Sequence, residues 1–224
     1  MFLEVIATSL QDIENINKSQ TDQIELCANM EFGGYTPRYD LIAQACSLAK
    51  APVMVMVRHN NDNFEVGDMA FKQFKKDIDF IKTTHAAGIV CGVLTKNNSV
   101  DINKMQEIIE LAKPLRVTFH RAFDGLNNQT KVLQELVALG ITTVLTSGGA
   151  DKITNNIANF KVLKKLNLPI RILAGGGVSM ENLPLFLENG ITDIHVGKCV
   201  HKNNSFDNPI DPMLINRIKQ MGSK

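Results

Sequence analysis

The sequence predicts an α/β protein: one (β/α)8 barrel of the TIM type that occupies residues 1–224 as a single domain. Eight apolar, β-branched runs alternate with eight helical patterns, and no linker or change in composition divides them. A doubly wound open sheet is the alternative, but such a sheet usually has fewer strands in a chain of this length. It would also favour a GxGxxG motif after the first strand, which this sequence lacks.

The predicted strands are short runs rich in Val, Ile and Leu, which suits strands that are buried in a parallel sheet. Proline stands directly before two of them, at Pro52 and Pro169, where it marks the entry into a strand. In chain order, we predict strands at Leu3–Ala7, Gln23–Leu26, Val53–Val57, Ile89–Val93, Arg116–Phe119, Thr143–Leu145, Ile170–Leu173 and Asp193–Val196.

The helical patterns carry start and stop signals of their own. Asp101 is the type of residue that caps a helix N-terminus, and Gly140 and Gly190 stand where helical runs end. We predict helices at Leu10–Ser19, Tyr39–Ala49, Met69–His85, Ile102–Leu111, Thr130–Leu139, Ile157–Leu166, Met180–Glu188 and Met213–Met221.

The composition excludes several classes of protein. The net charge of +1 gives no long-range field to attract nucleic acid or acidic lipid, and the chain has no Trp and only two Tyr for base stacking. The N-terminus lacks the pattern of a signal peptide, and no apolar run is long enough to cross a bilayer. Four separate cysteines form no CxxC motif. These features predict a reduced, cytoplasmic protein without nucleic-acid or membrane partners.

Alternate residues of a barrel strand point into the barrel, and the others pack against the helices. In the second strand, the apolar Ile24 and Leu26 face the helices, so Glu25 and Cys27 face inward. The same parity places a larger set inside the barrel: Glu4, Ile6, Thr8, Met54, Met56, Arg58, Thr118, His120, Asp193, His195 and Gly197. Because an unpaired buried charge costs several kcal/mol, the charged members should neutralise one another near the C-terminal ends of their strands.

This polar set has two interpretations. One is a structural ion-pair cluster that holds the barrel mouth together. The other is a ligand or substrate site at the face where barrels of this type carry their chemistry. The run Arg116–Asp124 favours a site, because it begins as a strand and ends in a histidine, an arginine and a carboxylate. The candidate pocket residues are therefore Glu25, Arg58, His120, Arg121, Asp124 and His195.

Two glycine-rich loops are candidates for binding an anion. Loops at this end of a barrel often supply backbone N–H groups for a phosphate, and a carboxylate or sulfate would fit equally well. The alternative is that the glycines only permit tight turns with positive φ. The candidate residues are Ser147, Gly148 and Gly149 after the sixth strand, and Gly175, Gly176 and Gly177 after the seventh.

Several segments, in this order, resemble the copper homeostasis (CutC) family: Ile24–Asn29, Glu31–Pro37, Gly92–Thr95, Val117–Asp124, Leu145–Gly149 and Gly175–Gly177. The most specific are the runs His-Arg-Ala-Phe-Asp and Leu-Thr-Ser-Gly. The resemblance covers nearly the whole chain. It implies a TIM-type barrel, a cytoplasmic location, a role in copper handling and a homo-oligomer, but no established reaction.

The chain departs from the family pattern at two places. Ile6 stands where family members commonly carry a cysteine, and the segment after Arg58 lacks the family's Arg-Pro-Arg-Gly-Gly-Asp-Phe run. The resemblance implies a Cu(I) site built from two cysteines, of which only Cys27 is kept here. Met56 offers a thioether as a further soft ligand, although both residues could simply fill the core. The remaining histidines, His59, His85 and His201, have no ligand spacing and are predicted to lie at the surface.

Three functions therefore stand side by side: a copper-binding protein, an enzyme that acts on a small phosphorylated or carboxylated metabolite, and a non-catalytic barrel. The partner is accordingly a small anionic ligand or a metal ion. In the enzyme, Glu25 or His120 would be the general acid or base. Arg58 and Arg121 would hold an anionic or carbonyl oxygen. Asp124 would orient Arg121 or His120, and His195 would be a second acid or base or a contact to the ligand.

Overall fold

The computed structural model describes residues 1–59 and 64–223. Eight parallel strands close into a barrel in which each strand pairs with its neighbours in sequence and the last pairs with the first. The predicted (β/α)8 fold is therefore confirmed. The strands are β1 (Phe2–Ala7), β2 (Gln23–Leu26), β3 (Val53–Met56), β4 (Gly88–Cys91), β5 (Arg116–Phe119), β6 (Thr143–Thr146), β7 (Arg171–Ala174) and β8 (Asp193–Val196).

Eight helices follow the strands, close to where the sequence predicts them. They are α1 (Leu10–Ile16), α2 (Tyr39–Leu48), α3 (Asp68–Lys82), α4 (Ile102–Ala112), α5 (Gln129–Ala138), α6 (Ile157–Lys165), α7 (Leu183–Glu188) and α8 (Pro212–Met221). None of these described helices combines the length and the apolar character that a membrane span needs.

The helix ends differ from the prediction by up to three residues, as at the end of α3, which stops at Lys82 and not at His85. Local hydrogen bonds explain the equal shifts at α1 and α7. After α1, the N–H of Ser19 donates to the carbonyl of Ile16 and turns the chain three residues early. Before α7, the side chain of Asn182 accepts the N–H of Ser179 at 2.8 Å, so a turn occupies the positions predicted as its first residues. The predicted N-cap at Asp101 is confirmed, since its carboxylate accepts the N–H of Lys104.

Apolar side chains form two separate cores on the two sides of the sheet. The larger core lies between the sheet and the helices, and Ile24 and Leu26 belong to it. A smaller core lies inside the barrel and consists of Ile6, Cys27, Met54, Met56 and Val90. Ile6, Cys27, Met54 and Met56 therefore follow the predicted strand parity, and the inward Glu25 contacts Cys27 of this smaller core.

Candidate functional site

A cavity of about 810 Å³ opens between the loops that follow the strands. All six candidate pocket residues line it: Glu25, Arg58, His120, Arg121, Asp124 and His195. They come from the ends of β2, β3, β5 and β8 and from the short 3-10 helix Arg121–Gly125. Closure of the barrel thus brings together side chains that are far apart in the sequence.

A buried cluster of two carboxylates and one histidine lies at the floor of this cavity. Glu4 and His195 are register partners on β1 and β8, and His195 Nδ1 lies 2.7 Å from Glu4 Oε1. The other ring nitrogen, Nε2, lies 3.8 Å from Oε2 of Glu25. Gln23 donates to the second oxygen of Glu4 at 2.5 Å. Both nitrogens of His195 therefore face a carboxylate.

Burial and mutual contacts shift the proton affinities in this cluster. Burial raises the pKa of Glu25 to about 7, and the nearby charge of Glu4 adds to the rise while His195 opposes it. Burial by itself would lower the pKa of His195, but Glu25 and Glu4 together raise it above its usual value. The carboxyl of Glu25 is thus poised to gain or lose a proton near neutral pH.

Glu25 is the member of the cluster with unused hydrogen-bonding capacity. Its Oε2 accepts the thiol of Cys27 at 3.3 Å. Its Oε1 is buried and has no hydrogen-bond partner within the described residues. A buried oxygen without a partner destabilises the protein by about 1–3 kcal/mol, so such an oxygen is a reason to look for a ligand or a transferred proton.

Arg58 forms part of the cavity wall and is buried without an anionic partner. Its Nη1 donates to the carbonyls of Phe32 at 2.9 Å and Gly34 at 3.1 Å. The guanidinium also lies over the rings of Tyr35 and Phe64, at 5.4 and 5.1 Å from their centroids. Burial lowers the pKa of Arg58. Across residues 1–59 and 64–223, no carboxylate lies within ion-pair distance of it.

His120 is held as a neutral ring at the end of β5. Its Nδ1 accepts the N–H of Ala122 at 3.3 Å, which assigns the ring proton to Nε2. Burial lowers the pKa of His120 to about 3, and the charge of Arg58 contributes to the shift. The side chain can therefore donate a hydrogen bond from Nε2, but it cannot serve as a base through Nδ1 or as an imidazolium at neutral pH.

Asp124 is fully engaged in holding the loop after β6. Its Oδ1 accepts the hydroxyl of Thr146 at 2.5 Å and the N–H of Ser147 at 2.9 Å, and its Oδ2 lies 2.6 Å from the Ser147 hydroxyl. Arg121 Nε also donates to Oδ2, at 2.8 Å. The contact with Asp124 holds Arg121, which is half exposed, at the rim.

The two glycine loops differ in their relation to the cavity. Gly176 and Gly177 line it, with φ of +93° and +129° that favour glycine. Gly175 packs behind His195, whose Cδ2 would lie 2.8 Å from an added Cβ. By contrast, Ser147, Gly148 and Gly149 are not among the lining residues and pack instead against Asp124, Asn156 and Phe160.

The loop after β7 presents several backbone donors. In the part of the chain that the structure describes, the N–H groups of Gly176, Gly177 and Val178 donate to no protein acceptor. Arg121 lies directly against this loop, because an added Cβ at Gly176 would meet its Cζ at 2.8 Å. Lys198 and Cys199, at the start of the next loop, complete this side of the cavity.

Comparison with known proteins identifies the family. Residues 1–200 match the CutC family. The chain belongs to the CutC family. A relative from Pasteurella multocida that bears the name CutC is 34% identical over 198 residues, which cover 88% of this chain and 81% of the relative. One from Proteus mirabilis is 35% identical over 178 residues and covers 80% of this chain and 71% of the relative.

Solved structures agree with this assignment. The structure of a CutC from Streptococcus agalactiae, described as a copper homeostasis protein, superposes with a TM-score of 0.83 at 31% identity, over 88% of this chain and 98% of that one. The 3-hexulose-6-phosphate synthase of Salmonella typhimurium shares only the fold, with a TM-score of 0.60 at 15% identity, over 99% and 100% of the two chains.

Copper is the metal that the CutC resemblance implies, and the sulfur atoms present do not fit a Cu(I) site. Cys27 and Met56 lie in the same inner core, but Ile6 fills the position of the second cysteine with a hydrocarbon side chain. The thiol of Cys27 donates to Glu25, and burial beside that carboxylate raises its pKa well above the usual value. One protonated thiol in an apolar cluster is a poor ligand for a soft cation.

Two residues of this CutC chain, Glu4 and His201, make contacts that the sequence did not predict. Strand parity placed Glu4 inward, but its contact with His195 across β1 and β8 identifies it as part of the site. The prediction that His201 lies at the surface is wrong: it is 1% exposed. Its Nδ1 lies 2.6 Å from the carbonyl of Asn208, because the loop after β8 folds back over the ring. His59 and His85 are exposed as predicted.

Proposed function

We propose that the cavity of this CutC protein binds a small anionic ligand, either phosphorylated or carboxylated. The observation that carries the proposal is the burial of Arg58, which is only 7% exposed and faces the cavity without a carboxylate partner among the described residues. Removing a cation from water is costly unless an opposite charge compensates. A bound anion would supply that charge.

The surroundings of Arg58 support a ligand rather than a purely structural role. Two carbonyls and two aromatic rings hold the guanidinium in place. Its Nε is buried and has no partner within the described residues. A fixed guanidinium with unused donors is a geometry that recognises carboxylate and phosphate oxygens.

The rim of the cavity offers a second group of donors for the same ligand. Among the described residues, the N–H groups of Gly176, Gly177 and Val178 have no protein acceptor, and the guanidinium of Arg121 lies beside Gly176. Backbone nests of this kind bind anions without any side-chain charge, and an adjacent arginine strengthens them. A ligand of metabolite size could therefore place its anionic group at the rim and extend toward the floor of the cavity.

The name of the Streptococcus agalactiae relative connects the family with copper homeostasis. The mismatch between Cu(I) and the sulfur atoms around Ile6 argues against a Cu(I) site at Cys27 and Met56. We therefore place the function of the cavity in anion binding, whatever contribution the protein makes to copper handling in the cell.

Isothermal titration calorimetry with inorganic phosphate and with 2-phosphoglycolate tests the proposal. We expect the wild type to bind both anions and Arg58→Met to bind each at least about tenfold more weakly, because a charged hydrogen bond is lost. Arg38→Met is the matched control, since the side chain of Arg38 is 86% exposed and, among the described residues, forms an ion pair with Asp40 alone. Absence of binding by the wild type, or equal loss in both variants, would contradict the proposal.

A further inference from the structure

We infer that Glu25 and His120 are the catalytic residues of a proton-transfer enzyme, which moves a proton at a carbon next to a carbonyl group of the bound anion. The inference rests on the proposed function, because the anionic group fixes the ligand in the cavity. It goes further, since it names a reaction class and assigns the base and the group that polarises the carbonyl. Both residues line the cavity, on β2 and at the end of β5.

Glu25 has the position and environment of a general base. It reaches the cavity floor, and its Oε1 has no partner within residues 1–59 and 64–223. The groups that face it are His195 from β8, Glu4 from β1 and Cys27, which directly follows β2. A carboxyl whose pKa lies near 7 is half ionised at neutral pH and can both accept and return a proton.

His195 and Glu4 act as positioning residues for this base. Glu4 holds the ring of His195 through Nδ1 and directs Nε2 toward Glu25. The positive charge of His195 opposes the rise that burial and Glu4 impose on the pKa of Glu25. The carboxylate of Glu25 therefore stays free to accept a proton, because His195 lies near it but beyond hydrogen-bond distance.

His120 supplies the second catalytic element from another wall of the cavity. The amide of Ala122 fixes its Nδ1 as an acceptor, so Nε2–H is left as the donor. A neutral imidazole with a depressed pKa is suited to donate a hydrogen bond to an oxygen that becomes negative in the transition state. Arg58 also lines the cavity, and its positive charge disfavours the imidazolium. It thereby helps to keep the ring of His120 neutral.

The step balances without any added reagent. Glu25 takes the proton, and the electrons of the broken C–H bond form a carbon–carbon double bond. The electrons of the carbonyl move to its oxygen, which accepts the hydrogen bond from His120 and gives an enediolate. Return of the proton from Glu25 to the same face of the same carbon regenerates the ligand, with exchange of that proton. Return to the neighbouring carbon, with transfer of the hydroxyl proton to the other oxygen, isomerises the ligand.

The shape of the cavity indicates the substrate class. The free N–H groups of the loop after β7 and Arg121 lie at the rim, while Glu25 lies at the floor. A hydroxy-carbonyl compound with a terminal phosphate would place the phosphate at the rim and the reacting carbon at the floor. A single base and a neutral electrophile around such a carbon define an isomerase rather than a hydrolase.

Solvent deuterium exchange tests this activity. Dihydroxyacetone phosphate and D-ribulose 5-phosphate are incubated with the wild-type protein in D2O, and loss of the C–H signal beside the carbonyl is followed by NMR. We expect enzyme-dependent exchange into at least one probe and a loss of at least about 100-fold in Glu25→Gln. The variant Glu25→Asp, which retracts the carboxylate by one methylene group, should exchange at an intermediate rate with a similar affinity for 2-phosphoglycolate.

The substitutions at His120 separate catalysis from folding. His120→Asn keeps an acceptor near the Nδ1 position for Ala122 but removes the Nε2 donor, so we expect slower exchange. His120→Gln places an amide donor near the Nε2 position and should restore part of the rate. Equal rates in both variants, or full activity in Glu25→Gln, would overturn the assignment.

The two proposals fail in different ways. If 2-phosphoglycolate binds but neither probe exchanges above the rate without protein, the catalytic inference is wrong and the anion site stands. If neither phosphate nor 2-phosphoglycolate binds, the proposed function is wrong and the inference falls with it. For an active protein, His195→Gln gives a further test, since loss of the charge that lowers the pKa of Glu25 should move the midpoint of the pH–rate profile above that of the wild type.

Discussion

The carboxylate of Asp124 accepts the backbone N–H of Ser147 at 2.9 Å, and this bond joins the loop after β5 to the loop after β6. The same carboxylate also accepts the hydroxyl of Thr146 and the guanidinium of Arg121. One side chain therefore holds two neighbouring loops and one wall of the cavity in place.

We expect Asp124→Asn to lower the free energy of unfolding by about 1–3 kcal/mol, because the amide leaves at least one of these donors unpaired. Urea unfolding measures the change. Asp79→Asn is the control, since Asp79 is exposed on α3. An equally small effect in both variants would show that the contacts of Asp124 contribute little to stability.

The loop after β7 should tolerate no side chain at Gly176. We expect Gly176→Ala to weaken phosphate binding, because an added Cβ displaces the Arg121 guanidinium and the backbone has φ of +93°. Gly140→Ala imposes nearly the same strain, at φ of +90°, but an added Cβ there meets nothing within 4 Å. Calorimetric titration of both variants separates loss of the anion site from strain, and equal affinities would contradict the assignment of this loop.

The buried carboxyl of Glu25 should make stability depend on pH. Burial raises its pKa from 4.5 to about 7, so the folded protein holds a proton that the unfolded chain releases. The free energy of unfolding should therefore fall as the pH rises from about 4.5 to 7, by up to about 3 kcal/mol for a shift of this size. The pKa of His195 is also raised in the folded protein. Its contribution to the free energy of unfolding therefore also falls as the pH rises through that pKa.

Urea unfolding at several pH values measures this dependence. We expect Glu25→Gln to flatten the decline, whereas the exposed Glu188→Gln should leave the wild-type slope unchanged. The same decline in all three proteins would contradict a raised pKa for Glu25 in the folded state.

Copper binding should depend on the residue at position 6. In an anaerobic Cu(I) titration against a chelator, we expect the wild type and Cys27→Ser to take up no stoichiometric copper. Ile6→Cys should bind one Cu(I), because it adds a second thiol to the same inner core as Cys27. Stoichiometric uptake by the wild type that is lost in Cys27→Ser would contradict this prediction.

Much of the fold is readable from the sequence, because local patterns determine it. The bounds of β2, β5 and β8 agree with the prediction, and strand parity places Glu25 and Cys27 inside the barrel. Parity works because a barrel strand has only two faces, of which one must pack against helices.

The roles within the site are harder to predict, because they depend on contacts between distant residues. Nothing near Asp124 in the sequence indicates that Thr146 and Ser147 would occupy its oxygens. The burial of His201 depends on how an irregular loop folds back, and such a loop has no periodic pattern to read. The departure at residues 60–63, after Arg58, lies outside the described residues.

Glu4 and His195 are separated by 191 positions in the chain, yet their side chains are in contact where β8 pairs with β1. The pairing of β1 with β8 closes the barrel, and we call it the seam. The barrel opens there if the first and last strands separate. A molecule bound against His195 would be lost from any form with an open seam, so its binding energy would oppose that opening. A ligand in the cavity would thus stabilise the closed ring of strands, much as a covalent link between the two ends of the chain would.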